Sequence, residues 1–283
     1  MSIKVSVIMI TYGHEKYILE AINGVLQQRC SFNVELIIAD DKSPDNTEAI
    51  TQQFLRDSTI PENFKVFYKR HHTNKGMNEN YIWAASGANG EFIANCEGDD
   101  YWTDPYQLQK QVDFLEMNPD YVLTYAKCQP FNDKGFVNKI IGANRDLTKK
   151  ELIKTKAINT TTACFRNVIR KYPKEMCFSP FGDLFIWSLL GHYGKGKFMD
   201  NIKPAMYRIH HGSQFSLKSQ KKKEEMWIDT SFALYKYYNR IGEKYYAKYF
   251  LGKHFKIIFR TLGLKHICQL IFNHLLYRLK KVF

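Results

Sequence analysis

Residues 97 to 105, Glu-Gly-Asp-Asp-Tyr-Trp-Thr-Asp-Pro, place Glu97, Asp99 and Asp100 directly behind an apolar run, Glu91 to Cys96. Three carboxylates at the end of a strand concentrate negative charge where a hard, oxygen-seeking cation such as Mg²⁺ or Mn²⁺ can neutralise it. The same string also suits an acidic turn that caps the next helix, with Asp104 and Pro105 as its start signal. On local sequence both readings stand.

Two more polar clusters, Thr11 to His14 and Asp40 to Ser43, each follow an apolar run directly. Val5 to Ile10 reads as a strand buried on both faces, Val34 to Ala39 as a second and Phe64 to Tyr68 as a third. Between them, Glu15 to Gln28 carries a helical apolar stripe, and helices are expected near Thr47 to Leu55 and Met77 to Ala85. This alternation predicts an α/β fold with a Rossmann-like, mostly parallel central sheet, right-handed crossovers and flanking helices. Ligands of such sheets bind beyond the carboxyl ends of the strands, and there the three polar loops would converge. A nucleotide is the natural occupant. Neither a glycine-rich dinucleotide fingerprint nor a Lys-bearing phosphate loop follows the first strand, where Thr11-Tyr12-Gly13-His14-Glu15 holds one glycine. Diphosphate charge must then be met by a cation more than by a backbone cradle.

Farther on, residues 106 to 118 read as an amphipathic helix and Tyr121 to Tyr125 as a strand; Asn132 to Thr148 is loop-rich, and Leu184 to Leu190 is an apolar helix behind Gly182-Asp183.

Taken in order, these segments resemble glycosyltransferase family 2, the inverting transferases of the glycosyltransferase-A fold. The resemblance runs over roughly residues 3 to 216: VSVIMITYGHEKYILEAINGVLQQ, Asp40-Asp41-Lys42-Ser43, Asn74-Lys75-Gly76, EGDDYWTDPYQLQKQVDFLE, FGDLFIWSLLGHYG and YRIHHGSQFS. It implies a nucleoside-diphosphate sugar as donor, a Mn or Mg divalent cation, and metal-dependent transfer to an acceptor hydroxyl with inversion, in cell-surface polysaccharide or glycolipid assembly. By motif position it places Thr11, Tyr12 and Glu15 around the base and ribose, with Asp41 or Asp40 accepting a hydrogen bond from the base. Asp99 and Asp100 match the aspartate pair, one carboxylate holding ribose and metal and the next, Asp100, coordinating the cation directly. Glu97 stands where many members carry an aspartate. Asp183 matches the general base, and on its own it also suits a helix N-cap. His210, with Arg208 nearby, matches a position that completes the metal shell or binds the diphosphate; for a lone histidine a structural role is the plainer reading. Lys75 contacts the nucleotide or sits in a solvated turn. Asn159 to Thr162 with Ala163-Cys164-Phe165 is either part of an acceptor wall or a buried strand.

The net charge of +13 is unevenly placed. Residues 218–283 hold 15 Lys and Arg against 4 Asp and Glu, a net of +11, whereas residues 1–217 hold 26 against 24. The division expected is a catalytic domain over residues 1–217 and a basic, aromatic-rich helical extension over residues 218–283, helical from about Lys253 onward. Basic amphipathic helices with aromatic shoulders suit the surface of an anionic membrane, as does an ordinary appendage with a solvated basic face. The expected setting is cytoplasmic and peripheral, at the inner face of the cell membrane, with a lipid-linked or saccharide acceptor and no nucleic acid. The six cysteines, Cys30, Cys96, Cys128, Cys164, Cys177 and Cys268, lack metal or redox spacing and fit a reducing compartment. No export leader and no uninterrupted spanning segment is read. Two alternatives remain: a sugar-phosphate nucleotidylyltransferase, which lacks its glycine-rich, Arg-containing loop here, and a nucleic-acid or membrane-binding module built on the tail.

Overall fold

The computed structural model describes residues 2–212 and 216–262. They fall into two compact units, one of residues up to Tyr172 together with Asp183–Leu217, the other of Pro173–Gly182 together with the chain from Lys218.

The first unit opens with β1 (Ile3–Thr11), α1 (Ile18–Leu26), β2 (Asn33–Asp40), α2 (Thr47–Asp57), β3 (Phe64–Arg70), α3 (Met77–Ser86), β4 (Phe92–Asn95) and α4 (Gln107–Met117). It continues with β5 (Tyr121–Tyr125), β6 (Cys128–Asn132), β7 (Gly135–Phe136), α5 (Lys149–Ile153), β8 (Cys164–Arg166), α6 (Gly182–Leu190), β9 (Lys195–Phe198) and β10 (Ala205–Arg208). Among the described residues the main sheet has the order β3-β2-β1-β4-β8-β5-β9, and a small second sheet has the order β10-β6-β7. The pairings of β3, β2, β1 and β4 are all parallel. β8 enters antiparallel between β4 and β5, so the sheet is mixed at this end. The Ala163-Cys164-Phe165 segment is thus a buried strand.

Burial explains the sequence pattern. Val5 to Met9 of β1 are all buried because helices cover both faces of a parallel sheet. α1 lays Ile18, Ala21, Ile22 and Val25 against that core, an i, i+3, i+4, i+7 stripe. It begins at Ile18 rather than Glu15, because His14 O accepts the N–H groups of both Tyr17 and Ile18 in a preceding turn. Asp104 does mark a helix start: one carboxylate oxygen accepts the Tyr106 N–H at 2.9 Å and the other pairs with Lys110 at 2.8 Å, just ahead of α4.

Register decides what meets at the carboxyl edge. Thr11 lies opposite Asp40, and Asp40 opposite Arg70. Ile8 lies opposite Asn95, and the pairing runs on past β4, with Cys96 N–H donating to Ile8 O and Gly98 N–H to Ile10 O. The acidic turn is therefore zipped onto the end of β1.

In the second unit, α7 (Gln220–Arg240) and α8 (Lys244–Leu262) form a helical hairpin. Gly242, at φ +80°, ends α7, and Glu243 N–H closes back on Tyr238 O at 3.0 Å. The second helix accordingly begins at Lys244, earlier than the Lys253 expected; the part of that expectation beyond Leu262 lies outside the described residues. Segment Pro173–Gly182 belongs to this unit through Arg240, which grips the buried Glu175 carboxylate at 2.6 and 2.9 Å, and through Ser179, which bonds Thr230 at 3.2 Å.

Candidate active site

The loop after β1 is tied to the loop after β2 by a set of hydrogen bonds. Gly13, at φ +72°, donates its N–H to Ser43 Oγ at 3.0 Å, and His14 N–H reaches Thr47 Oγ1 at 2.9 Å. Glu15 N–H donates to Asp45, while the Glu15 carboxylate accepts from the Asn46 N–H at 3.0 Å. Glu15 thus staples the two loops, and Tyr12 stands exposed beside it.

Asp40 and Asp41 are both buried and both occupied. Asp40 accepts from Ser43 N–H and from the Tyr68 hydroxyl, each at 2.7 Å. Asp41 accepts from Lys75 N–H at 2.6 Å and Gly76 N–H at 2.9 Å, and its carbonyl receives the Asn74 amide. The Asn74–Gly76 turn is therefore built around Asp41; Lys75 gives it a backbone N–H while its side chain is exposed.

The acidic turn packs onto Thr11 through Gly98. A Cβ there would lie 2.8 Å from Thr11 Oγ1 and 3.0 Å from His14 Nδ1, so no other residue fits without moving β1. Beyond it, Asp99 Oδ2 is hydrogen-bonded to His210 Nε2 at 3.0 Å and lies 3.9 Å from His14 Nε2. Candidate ligand atoms of His14, Asp99 and His210 lie within 4.8 Å of one another, and among the described residues this is the group that suits a metal. Thr11 Oγ1 is bonded to His14 Nδ1 at 3.1 Å, leaving Nε2 toward Asp99, an arrangement that orients metal-binding imidazoles. Two imidazoles and a carboxylate fit a divalent transition metal such as Mn²⁺ better than Mg²⁺, which favours oxygen.

Asp100, expected to meet the cation directly, has one carboxylate oxygen engaged and one open. Its Oδ1 accepts the Arg208 N–H at 2.8 Å, and its Oδ2 is buried without a hydrogen-bond partner. Arg208 is held by several local partners. Its Nε donates to Asp99 O at 3.0 Å, its guanidinium pairs with Glu20, and it is stacked 4.5 Å from the ring centroids of both Tyr17 and Phe131. Arg208 therefore fastens the acidic turn to α1 and the small sheet.

Asp183 sits in the first turn of α6. Its Oδ2 accepts the Thr160 hydroxyl at 2.9 Å and its Oδ1 the Leu184 N–H at 2.8 Å. Asp183 therefore lies within the helix rather than at its N-cap, and one of its oxygens satisfies a first-turn N–H.

Crowding of carboxyls shapes their protonation. Burial, then the charges of Asp99 and Asp183, push Glu97 well above the usual carboxylate range. Burial also raises Asp100, helped by Asp99 and Glu97. Asp99 goes the other way: burial opposes its charge, but His14 and the hydrogen-bonded His210 hold it below its ordinary value. Burial lowers His14, keeping that imidazole neutral, although Asp99 pulls upward. Asp183 is raised by burial, with Thr160 and the Leu184 N–H acting against it.

Residues 6–175, more than half of the chain, match the family model described as glycosyl transferase family 2. The chain belongs to that family. Relatives of this family 2 member include an uncharacterized Mycobacterium tuberculosis protein, 35% identical over 164 residues, which are 57% of this chain and 46% of the relative. The chain thus spans under half the length of that relative. Another is the Escherichia coli UDP-Glc:alpha-D-GlcNAc-diphosphoundecaprenol beta-1,3-glucosyltransferase WfgD, 28% identical over 229 residues, 78% of this chain and 81% of the relative. Among solved structures, Staphylococcus aureus TarS in complex with UDP-GlcNAc aligns with a TM-score of 0.63 at 18% identity, covering 90% of this chain and 73% of that one. The Pyrobaculum calidifontis mannosyltransferase PcManGT, in complex with GDP-Man and Mn²⁺, aligns at 0.57 and 13% identity over 98% of this chain and 81% of that one. At such identities these likenesses show the fold: a mixed α/β architecture with a mostly parallel central sheet.

Three residues of this site have partnerships that escape a reading of the sequence. His14 shows there only as part of a polar loop; its proximity to His210 is a product of the β10 register. Thr160 and Glu20, which orient Asp183 and Arg208, have no local signal, since each acts across a long sequence separation.

Proposed function

We propose that this chain is a divalent-cation-dependent, inverting glycosyltransferase that moves a sugar from a nucleoside-diphosphate donor to an acceptor hydroxyl in polysaccharide or glycolipid assembly. The observation that carries the reading is Asp99 set between two imidazoles, with Asp183 held on a separate element by the Thr160 hydroxyl. A cation held by His14, Asp99 and His210 supplies positive charge to the departing diphosphate when bound. Asp183 takes the proton of the attacking hydroxyl; Thr160 and the helix N-terminus aim its carboxylate, and its raised pKa makes it a better base than a free aspartate. Thr11, Tyr12, Glu15, Asp40, Asp41 and the Lys75 turn form the base and ribose side, a wall cross-linked by its own backbone hydrogen bonds. Asp100 keeps the turn in place from behind.

The name of WfgD, a relative along most of its length, supports a polyprenyl-diphosphate-linked acceptor and hence action beside the inner face of the cell membrane. A panel of nucleoside-diphosphate sugars, each with Mn²⁺, Mg²⁺ or chelator, tests the activity by donor hydrolysis and thermal stabilisation. Hydrolysis of one donor that chelator abolishes is the expected result. No stabilisation or hydrolysis with any donor in Mn²⁺ would overturn the reading.

A further inference from the structure

The second unit carries a feature that sugar transfer does not use. After Glu243 the chain has no Asp or Glu, whereas nine Lys and Arg lie between Lys244 and Phe283. α8 is the described part of this stretch. It buries Ala247, Phe250 and Ile257 toward α7, where Phe250 stacks on Tyr238 at 5.5 Å with an interplanar angle of 9°. The opposite face is just as regular: Tyr245, Lys248, Phe255, Lys256 and Phe259 are all exposed, at helical spacing around the small Gly252. Tyr245 is 55% and Phe255 48% accessible, a large apolar outlay for a solvated helix. Arg260, next on this face, is paired with Glu224 at 3.3 Å, whereas among the described residues no ion pair engages Lys248 or Lys256.

We propose that this face of α8 docks on an anionic lipid bilayer, with Tyr245, Phe255 and Phe259 entering the headgroup and acyl boundary and Lys248 and Lys256 meeting lipid phosphates. The charge is complementary, and no carboxylate on α8 opposes it. Among the described residues no helix is long and apolar enough to cross a membrane, so the contact is one of lying on the surface. Nucleic acid fits the rings less well. Phe255 is edge-on to His254 at 5.7 Å and tilted against Phe259 at 6.4 Å, while His254 stacks on Phe232 at 5.1 Å. Rings that pack on one another form an apolar body rather than separate platforms for bases. The proposal stands on α8 alone and does not depend on the reaction of the first unit.

The test is co-sedimentation of the full chain with phosphatidylcholine vesicles, with and without phosphatidylglycerol, in the absence of any donor. Binding only to the phosphatidylglycerol vesicles is expected. Lys248→Glu with Lys256→Glu should lower the partition coefficient by about tenfold or more, since each basic residue near the surface contributes substantially. Phe255→Ser with Phe259→Ser should lower it comparably, and the charge-reversal pair keeps the test decisive if the aromatic pair lowers the melting temperature. Wild-type protein that ignores anionic vesicles, or either folded pair binding as tightly as wild type, would overturn the proposal. So would single-stranded RNA displacing the protein from vesicles at lower concentration than soluble anionic lipid.

Discussion

At the scale of single residues, Asp183 and Thr160 make the sharpest demands. A general base that acts in the transition state but adds little to donor binding predicts that Asp183→Asn keeps donor affinity while turnover falls by about 10² or more. Equilibrium titration of the donor beside steady-state rates checks both halves. Unchanged turnover would leave Asp183 serving the helix end alone. Thr160 makes the prediction finer, because its hydroxyl stabilises the carboxylate form of Asp183 against burial. Removing that hydrogen bond in Thr160→Ala should raise the Asp183 pKa further. The base form exists above that pKa, so the acidic limb of the kcat profile should move to higher pH, with the plateau less affected. A profile that falls uniformly without shifting would show that Thr160 serves packing only. Asp183 was legible by its place in a string, yet its partner was not: Thr160 lies in a 3₁₀ turn with no periodic pattern to betray it.

At the scale of elements, the sequence was most legible where burial is continuous. β1, β2 and β5 lie where apolar runs place them, because strands covered on both faces leave a nearly continuous hydrophobic record. β8 was ambiguous, being three residues long, and its antiparallel insertion is set by tertiary pairing. Two elements carry their own predictions. Gly98→Ala forces a Cβ against Thr11 and His14, so the acidic turn must lift from β1; about 1–3 kcal/mol of stability and most cation-dependent donor binding should be lost together. Stability lost with donor affinity intact would detach the turn from the site. In the second unit, Arg240→Ala strips the Glu175 carboxylate, which is nearly buried, of its bidentate partner. Arg240 itself is half exposed, so the cost is that of a solvent-screened pair rather than that of a fully buried one. The arginine hydrogen bond holds Glu175 below its ordinary pKa of 4.5. That stabilisation is present above the unfolded value and is lost as pH falls through the folded one. The difference in denaturation midpoint between wild type and Arg240→Ala should accordingly be full at neutral pH and shrink below about pH 4. A gap that stays constant into acid would mean packing, not charge, joins these segments.

At the scale of the whole molecule, the question is what gathers so much negative charge in the first unit. Glu97 and Asp100 are raised first by burial and then by the charges of their acidic neighbours, and Asp183 is raised by burial. Only Asp99 is held below its ordinary range, and it is the one flanked by imidazoles. A nucleoside diphosphate approaching this site alone meets like charge, whereas a cation on His14, Asp99 and His210 reverses the local sign. Cation and donor should therefore stabilise the fold synergistically. By linkage a ligand at about a hundredfold excess over its Kd adds roughly 2.7 kcal/mol, a shift of several degrees for a chain this size. Thermal melts with neither ligand, Mn²⁺ alone, donor alone and both should show the combined shift exceeding the sum of the single shifts. Asp99→Asn should abolish that excess, and Asp183→Asn should keep it, because the first removes the ligand between the imidazoles and the second only the base. Additive shifts in the wild-type protein would mean that the donor binds without the cation and that the histidine–aspartate cluster serves the fold alone.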